Sequence, residues 1–304
     1  MQENDSSVDS GYFIDPSLLA GKPLESALYI VATPIGNLAD ISLRALQTLA
    51  GADLIACEDT RVTGKLLQRY AIKTRMIAYH DHNATKQTPA ILDALEVGKS
   101  IALVSDAGTP LISDPGFRLI KDTTAAGYKV IPLPGASSPI VALSAAGLPT
   151  DTFLFAGFLP PKTKARQNRL ETLASIPATL IFLESPKRLA GCLADCRDIL
   201  GAEREAVVGR ELTKLYETFS RAALGELAAE FAQAETPKGE IVLIIGPPNE
   251  KPIDPQMIDA ALKDLLETHH IKEAAAIAAK QWDQPKRDMY QRALALKEAQ
   301  DDGA

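Results

Sequence analysis

Short runs of β-branched and aliphatic residues alternate with stretches of helical periodicity from residue 28 onward, and this alternation constrains the fold more than any other feature. Such an order predicts a parallel sheet covered by helices, because a parallel crossover needs a connection long enough to hold a helix. The predicted strands are 28–32, 53–57, 75–79, 101–104 and 129–133, and the predicted helices are 43–49, 63–70, 89–95 and 117–126.

A second series of the same kind follows, with predicted strands at 153–155, 179–183, 206–208 and 241–245 and predicted helices at 164–173, 188–200 and 225–234. Four prolines between 247 and 255 then predict a linker, followed by short helices at 256–266, 272–281 and 286–297. We therefore expect a flexible leader (1–25), an N-terminal α/β domain (26–135), a C-terminal α/β domain (136–247) and a linker with a helical tail (248–304).

Charge and composition narrow the class of protein. The 304 residues include 32 Lys and Arg against 39 Asp and Glu, a formal charge of −7, which excludes a generic nucleic-acid coat. No apolar run reaches the roughly 20 residues of a membrane helix, and the N-terminus lacks the pattern of a secretory signal. We therefore expect a cytoplasmic protein with no membrane partner. Cys57, Cys192 and Cys196 contain no CxxC pair, which favours neither disulfides nor a zinc site.

The loops that follow the first five predicted strands are rich in Gly, Pro and polar residues, whereas the turns at the opposite ends are short and plain. Because the carboxyl ends of parallel strands share one edge of the sheet, these loops predict a ligand-binding crevice there. Turn formation by Gly and Pro is the alternative explanation, but it does not explain polar clustering at one edge only. The loops are 33–38, 58–61, 80–83, 105–110 and 134–138.

Several familiar sites are missing from this crevice. No GxGxxG follows a strand, the Gly-Lys-Ser at 98–100 lacks the first glycine of a phosphate loop, and residues 135–139 end in Pro where a nucleophile elbow needs Gly. His80 and His82 lie two apart, but no third metal ligand is evident, so we expect no metal. Backbone-rich loops with small hydroxyls and little positive charge suit adenine and ribose without a triphosphate.

Seven stretches resemble a known family. They read Leu-Tyr-Ile-Val-Ala-Thr-Pro-Ile-Gly-Asn-Leu-Ala-Asp (28–40), Ala-Cys-Glu-Asp-Thr-Arg (56–61), Val-Ser-Asp-Ala-Gly-Thr-Pro-Leu-Ile-Ser-Asp-Pro-Gly (104–116), Leu-Pro-Gly (133–135), Glu-Ser-Pro-Lys-Arg-Leu (184–189), Arg-Glu-Leu-Thr-Lys (210–214) and Lys-Gly-Glu-Ile-Val-Leu (238–243). Together they resemble the ribosomal RNA small subunit methyltransferase I family, which has the tetrapyrrole-methylase fold. The motifs are long and ordered across residues 27–246, so the resemblance is specific.

The resemblance implies a homodimeric enzyme that methylates the ribose 2′-hydroxyl of a cytidine in the decoding region of 16S ribosomal RNA. It also implies that S-adenosylmethionine, the methyl donor, binds in a cleft between the two α/β domains. The implied cofactor-binding residues are Ile35, Asp106, Gly108, Thr109, Pro110, Ile112, Gly135, Ser137, Ser138, Gly157, Leu183, Leu212, Glu240 and Ile241.

Transfer to a ribose hydroxyl is helped by a base that removes its proton. The crevice edge offers Glu58, Asp59, His80 and His82. Histidine has the ordinary pKa nearest to neutral pH, whereas Asp59 stands beside Arg61 and suits a structural ion pair. We therefore take His80, Asp59 and Glu58 as the catalytic candidates, with no dedicated base as the alternative. Because the sulfonium loses its charge during transfer, we expect a neutral cofactor site made largely of main-chain groups.

RNA contact needs local positive charge. Lys162, Lys164, Arg166 and Arg169 fall within eight residues that contain no Asp or Glu, and helical spacing lets several of them share one face. A solvated helix face is the alternative. The further RNA-binding candidates are Arg61, Lys187 and Arg188. With so few cations we expect recognition by shape, and hence the assembled small subunit rather than free RNA as partner.

Residues 271–290 resemble a helix-turn-helix, a form that often contacts nucleic acid. The tail carries more acidic than basic residues, so we favour a packing or substrate-docking bundle over a direct RNA reader. Two other functions stay open: a tetrapyrrole C-methyltransferase of the same fold, and a ribosome-assembly factor that binds RNA without catalysis.

Overall fold

The computed structural model describes residues 23–249, 255–282 and 284–301. The predicted leader lies outside these ranges up to residue 22, as do residues 250–254 of the predicted linker. The chain divides into two compact units, one ending at Pro248 and the other beginning at Asn249. No helix in the described ranges is long and apolar enough to cross a membrane.

The first sheet is fully parallel with strand order β3-β2-β4-β1-β5, which confirms the predicted α/β class. Successive residues of β1 face opposite sides, so Leu28 packs with helices α3 and α4 while Tyr29 packs with α1. Both faces are therefore covered. The elements are β1 (Leu28–Ile30), α1 (Leu43–Gly51), β2 (Leu54–Cys57), α2 (Thr60–Arg69), β3 (Met76–Ala78), α3 (Ala84–Glu96), β4 (Ile101–Val104), α4 (Phe117–Ala125) and β5 (Val130–Pro132).

The second sheet is mixed, with strand order β6-β7-β10-β8-β9. Strands β6 and β7 are parallel, and the other neighbours are antiparallel. Helices α6, α7 and α8 pack on one face around Phe182 and Leu243. The elements are α5 (Ser138–Ala146), β6 (Phe153–Phe158), α6 (Thr163–Leu173), β7 (Thr179–Glu184), α7 (Leu189–Leu200), β8 (Glu205–Arg210), β9 (Thr218–Ala223), α8 (Leu224–Gln233) and β10 (Ile241–Ile245).

The other face of the second sheet packs against α5 and also against Ile35, a residue from the loop after β1. Ile35 is 6% exposed and lies in the same cluster as Ile181, Val207 and Val242. This contact closes the floor of a cleft between the two sheets.

The second unit consists of α9 (Pro255–Thr268), α10 (Ile271–Gln281) and α11 (Lys286–Asp301). Its small core joins residues from all three helices, among them Leu262, Ala275 and Met289. A side-chain pair between Arg292 and Asp259 links α11 to α9 at 2.5 Å.

Candidate active site

A cavity of about 350 Å³ opens in the cleft between the two sheets. Its size falls in the range typical of small-molecule sites, and like them it combines apolar walls with a few polar groups. It takes residues from the elements and loops of both sheets. Seven of the implied cofactor-binding residues line it: Ile35, Ile112, Ser138, Leu183, Leu212, Glu240 and Ile241.

Other implied residues lie behind the cavity wall. Gly108 forms a two-bond bridge with Thr33, with N–O distances of 2.9 and 3.0 Å, and the Thr109 hydroxyl donates to the carbonyl of Ala136 at 2.9 Å. Gly108 has a φ of +82°, a conformation that favours glycine. These contacts join the loop after β4 to the loops after β1 and β5, and so fix the position of Ile35 and Ser138.

The other five implied residues do not line the cavity either. A Cβ at Gly135 would stand 2.6 Å from the Ala32 Cβ, so only glycine fits there. Ser137 precedes α5, and its carbonyl accepts the amide of Val141. Pro110 and Asp106 are not among the cavity-lining residues, and Gly157 is not either, although a Cβ on Gly157 would lie 3.2 Å from the Ser113 hydroxyl.

The structure adds residues that sequence reasoning missed. Several of them lie inside the motifs quoted above, next to residues that were predicted to bind the cofactor. Phe158 lies at the end of β6. No signal in a single sequence separates these neighbours, since the face that each presents depends on the turn geometry. The added lining residues are Ala107, Ser113, Asp114, Phe158, Glu184, Ser185, Pro186, Gly239 and Val242.

Three carboxyl groups line the cavity, those of Asp114, Glu184 and Glu240, and the sequence had implied only Glu240 in a site expected to be neutral and largely main-chain. Two of them have a cation: Glu184 pairs with Arg188 at 2.9 Å, and Glu240 lies 3.3 Å from the Lys214 ammonium. Burial raises the pKa of the third, Asp114, and a hydrogen bond with Ser105 offsets part of this rise. Unlike the other two carboxyl groups, Asp114 has no salt-bridge partner among the described residues, so it is placed to face a cationic ligand.

The loop after β8 reaches the cavity from the second domain under tight constraint. Glu211 and Thr213 have φ values of +54° and +64°, uncommon for residues with side chains. A Cβ on Gly36 would stand 2.4 Å from the Lys214 Cγ and 3.0 Å from the Leu212 carbonyl. The loop after β1 therefore approaches the loop after β8 so closely that residue 36 must be glycine.

The three candidate bases have different surroundings. Asp59 caps helix α2 by accepting the Arg61 amide at 2.8 Å and also pairs with the Arg61 guanidinium at 2.5 Å. Its bond to the Arg61 side chain lowers the pKa of Asp59 to about 2, which leaves a weak base. Burial, reinforced by the charges of Asp106 and Asp114, raises the pKa of Glu58. The loop after β2 thus places a structural carboxylate beside a more basic one.

His80 lies in the loop between β3 and α3, and its amide donates to the Asn83 side chain at 3.0 Å. Its Nδ1 is buried and has no hydrogen-bond partner. The ring meets that of His82 edge-on, with centroids 6.0 Å apart. Neither ring lines the cavity. Among the described residues, no group of three or more His, Cys, Asp or Glu side chains is arranged to hold a metal ion.

The predicted basic stretch on α6 is only partly exposed. Lys162, Lys164 and Arg169 are exposed, but Arg166 is 6% exposed and pairs with Asp195 of α7 at 2.5 Å. The expectation that Arg166 binds RNA is therefore wrong, because a buried and neutralised guanidinium cannot reach a phosphate. The role of Arg188 as an RNA contact is likewise corrected: its guanidinium is held by Glu184 and by the Leu159 carbonyl. Lys187 is exposed.

A more continuous basic face lies on α2. Arg61, Lys65 and Arg69 recur at every fourth position, so they share one side of the helix, and all three are exposed. Helix α2 contains no acidic residue. Of the three, only Arg61 was expected from the sequence, because cations four residues apart form a weaker sequence signal than the dense run at 162–169.

Residues 27–228 match the family described as tetrapyrrole (corrin/porphyrin) methylases, and residues 251–297 match the RsmI C-terminal HTH domain. The chain is 53% identical to ribosomal RNA small subunit methyltransferase I of Mesorhizobium japonicum, over 94% of this chain and 97% of the relative. It is 50% identical to the protein of the same name from Vibrio cholerae, over 83% and 88% of the two chains.

The fold is also found among solved structures. The uroporphyrin-III C-methyltransferase of Thermus thermophilus, in complex with S-adenyl homocysteine, superposes with a TM-score of 0.51 at 17% identity. The superposition covers 72% of this chain and 96% of that one. At this identity the likeness establishes a shared fold.

Proposed function

The chain belongs to the tetrapyrrole methylase family and, within it, to the ribosomal RNA small subunit methyltransferase I family, and from that membership we propose that it methylates the ribose 2′-hydroxyl of a cytidine in the decoding region of 16S ribosomal RNA. It is an S-adenosylmethionine-dependent methyltransferase. The observation that carries the proposal is 53% identity to a ribosomal RNA small subunit methyltransferase over 94% of the chain.

The residues of the cavity fit the methyl donor. The aliphatic side chains of Ile35, Leu183 and Leu212 would hold its adenine, and the Ser138 hydroxyl and Asp114 carboxylate would hold its polar groups. The Asp114 carboxyl group, which has no salt-bridge partner among the described residues, agrees with a ligand that is cationic overall. When bound, S-adenosylmethionine supplies an activated methyl group on a positively charged sulfur.

The chain must hold the 2′-hydroxyl against this cavity and accept its proton. Of the three candidate bases, Glu58 is best suited, because its raised pKa makes its carboxylate a better proton acceptor than Asp59. The Asp59–Arg61 pair instead starts helix α2 and so fixes the loop that carries Glu58. His80 is the second candidate, favoured by its buried Nδ1 without a partner.

The two other functions considered from the sequence are not favoured. The tetrapyrrole methyltransferase matches at 17% identity, against 53% for the ribosomal RNA enzyme. A factor without catalysis would have no need of a donor-sized cavity in the cleft.

Assembly and location form part of the proposal. The edge strand β6 is apolar along its length, and Phe153 and Phe158 on it are 43% and 56% exposed, a surface that in a monomer would face water. We infer that it is covered in a homodimer, which light scattering of the purified chain would test. We also infer that the enzyme acts in the cytoplasm on the assembled small subunit.

A deletion strain tests the function. Nucleoside mass spectrometry of its 16S ribosomal RNA should show the loss of one 2′-O-methylcytidine, and the mark should return when the gene is supplied on a plasmid. An unchanged set of ribose methylations in the deletion strain would reject the proposal.

A further inference from the structure

A second, smaller cavity lies beside the first at the carboxyl edge of the first sheet, and its volume is about 220 Å³. Pro34 and Asp106 line this cavity, whereas the next residues along the chain, Ile35 and Ala107, line the first one. Consecutive Cα atoms are 3.8 Å apart. The loops after β1 and β4 therefore each place a residue in the second cavity and the next residue in the first, so the two cavities are adjacent. A group bound in the second cavity is thus held next to the ligand of the first.

The second cavity combines an apolar slot with a polar end. Leu38, Val62 and Leu66 supply the apolar sides, a setting suited to a planar ring. At the polar end, the Asp106 Oδ1 accepts the Asp59 amide at 3.0 Å, which fixes the carboxyl group. The cavity is smaller than the roughly 300 Å³ at which drug-sized sites begin, so it suits a single ring.

Thr63 is the second polar group, and it points to a ligand independently of the carboxylate. Its side chain lines the cavity while the residue is 3% exposed, and its hydroxyl has no hydrogen-bond partner of good geometry. The hydroxyl approaches the Cys57 thiol, a weak partner. Buried hydroxyls normally find partners, and a base edge in the cavity would provide one.

We propose that this second cavity binds the base of the target cytidine, flipped out of its RNA, and that Asp106 and Thr63 read its hydrogen-bonding edge. Cytosine presents an amino donor beside a ring-nitrogen acceptor, whereas uracil presents an oxygen acceptor in place of the amino group. A carboxylate accepts from the amino group and a hydroxyl donates to the ring nitrogen. The pair therefore matches cytosine and opposes uracil.

The occupant is identified as RNA by the charge beside the cavity. Lys65 lines the cavity and forms the centre of the exposed α2 face with Arg61 and Arg69. Its ammonium suits the phosphate of the nucleotide whose base is bound. The α2 face continues the phosphate contacts along the strand on either side of the flipped nucleotide.

This inference rests on the proposed function, and Asp106→Asn tests it. The Asn Oδ1 keeps accepting the Asp59 amide, so its amino group takes the place of the second carboxylate oxygen and donates. A donor there repels the cytosine amino group and suits the uracil oxygen. The substrates are small subunits reconstituted with 16S transcripts carrying either cytidine or uridine at the target position, and the readout is single-turnover methylation.

We expect the wild-type chain to favour cytidine by ten-fold or more and Asp106→Asn to reduce that ratio at least ten-fold, with an unchanged Kd for S-adenosylmethionine. An unchanged ratio in the variant would overturn the base-pocket assignment. Absence of ribose methylation by the wild-type chain on the cytidine substrate would instead overturn the proposed function. The two failures are thus distinguishable.

Thr63→Val provides an independent arm. It removes the hydroxyl at nearly constant volume, so we expect kcat/KM for the subunit to fall about ten-fold while Tm stays constant or rises. Thr123→Val is the matched control, because Thr123 on α4 also has a buried hydroxyl without a partner but lines neither cavity. Equal kcat/KM for both variants and the wild type would contradict the proposal.

Discussion

Arg166 shows at the scale of a residue why a basic run is weak support for an RNA contact. The four cations do lie on α6 or at its N-cap, but Arg166 pairs with Asp195, which lies 29 positions later on α7. A single sequence does not reveal such pairs. In contrast, seven of the implied cofactor-binding residues line the first cavity, because long motifs fix both the residue and its loop; their contact with the cofactor stays a prediction.

Arg166→Met tests the structural role of this pair. Loss of the guanidinium leaves the Asp195 carboxylate buried with only Gln167 as a hydrogen-bond donor, so we expect the free energy of unfolding to fall by about 3 kcal/mol. Urea denaturation measures this change. Lys164→Gln, on the exposed side of the same helix, is the control and should be neutral. RNA affinity that falls while stability is unchanged would contradict the structural role.

Glu58→Gln tests the choice of base. Burial and the neighbouring carboxylates raise the pKa of Glu58, and only its ionised form accepts a proton, so the wild-type rate should rise with pH through a value above the ordinary pKa of about 4.3. In the variant we expect the rate to stop rising with pH in this range and the single-turnover rate to fall about 100-fold, while the affinity for the cofactor is unchanged. His80→Ala is the comparison. If His80→Ala abolishes the rise of the rate with pH and Glu58→Gln does not, His80 is the base.

At the scale of elements, the sequence predicted the buried strands and the amphipathic helices, and it missed elements that lack those patterns. Helix α5 went unpredicted because its sequence, SPIVALSAA, is apolar nearly all round and gives no helical period. Strand β9 was missed because this edge strand has no fully buried residue and Thr218 is its one β-branched residue. Helix α3 starts five residues before the predicted position, because Pro89 lies inside it.

The α2 face is expected to bind RNA phosphates more than α6 does. Replacing Arg61, Lys65 and Arg69 by Gln should reduce the slope of log Kd against log salt for RNA binding by about 2, at roughly 0.7 per phosphate contact. The same change at Lys162, Lys164 and Arg169 is the matched control. If the control flattens the slope and the α2 variant does not, the RNA path follows α6.

Gly36→Ala tests the contact between the loop after β1, which carries Gly36, and the loop after β8. The new methyl group would collide with the Lys214 side chain and the Leu212 carbonyl, displacing Leu212 from the cavity wall. We expect the Kd for S-adenosylmethionine to rise about ten-fold, as measured by calorimetry. Gly64→Ala is the control: its Cβ meets only the Met76 side chain at 3.6 Å, and alanine favours the helix. Equal affinity in both variants would contradict the assignment.

At the scale of the whole molecule, the formal charge of −7 excludes indiscriminate binding of nucleic acid and leaves room for one docked RNA. Three exposed cations share the α2 face, and one of them, Lys65, lines the second cavity, so affinity should depend on a folded substrate that presents one strand there. The sequence predicted two α/β domains because alternation is a local signal. It could not reveal that a loop of the first domain completes the core of the second.

The central claim is that this cleft transfers a methyl group to one ribose of small-subunit RNA. The most direct measurement combines the purified chain, labelled S-adenosylmethionine and small subunits from a strain that lacks the gene, followed by nucleoside analysis of the 16S RNA. We expect one methyl group per subunit, recovered as 2′-O-methylcytidine. Label on a base, on a different ribose or on no RNA at all would contradict it.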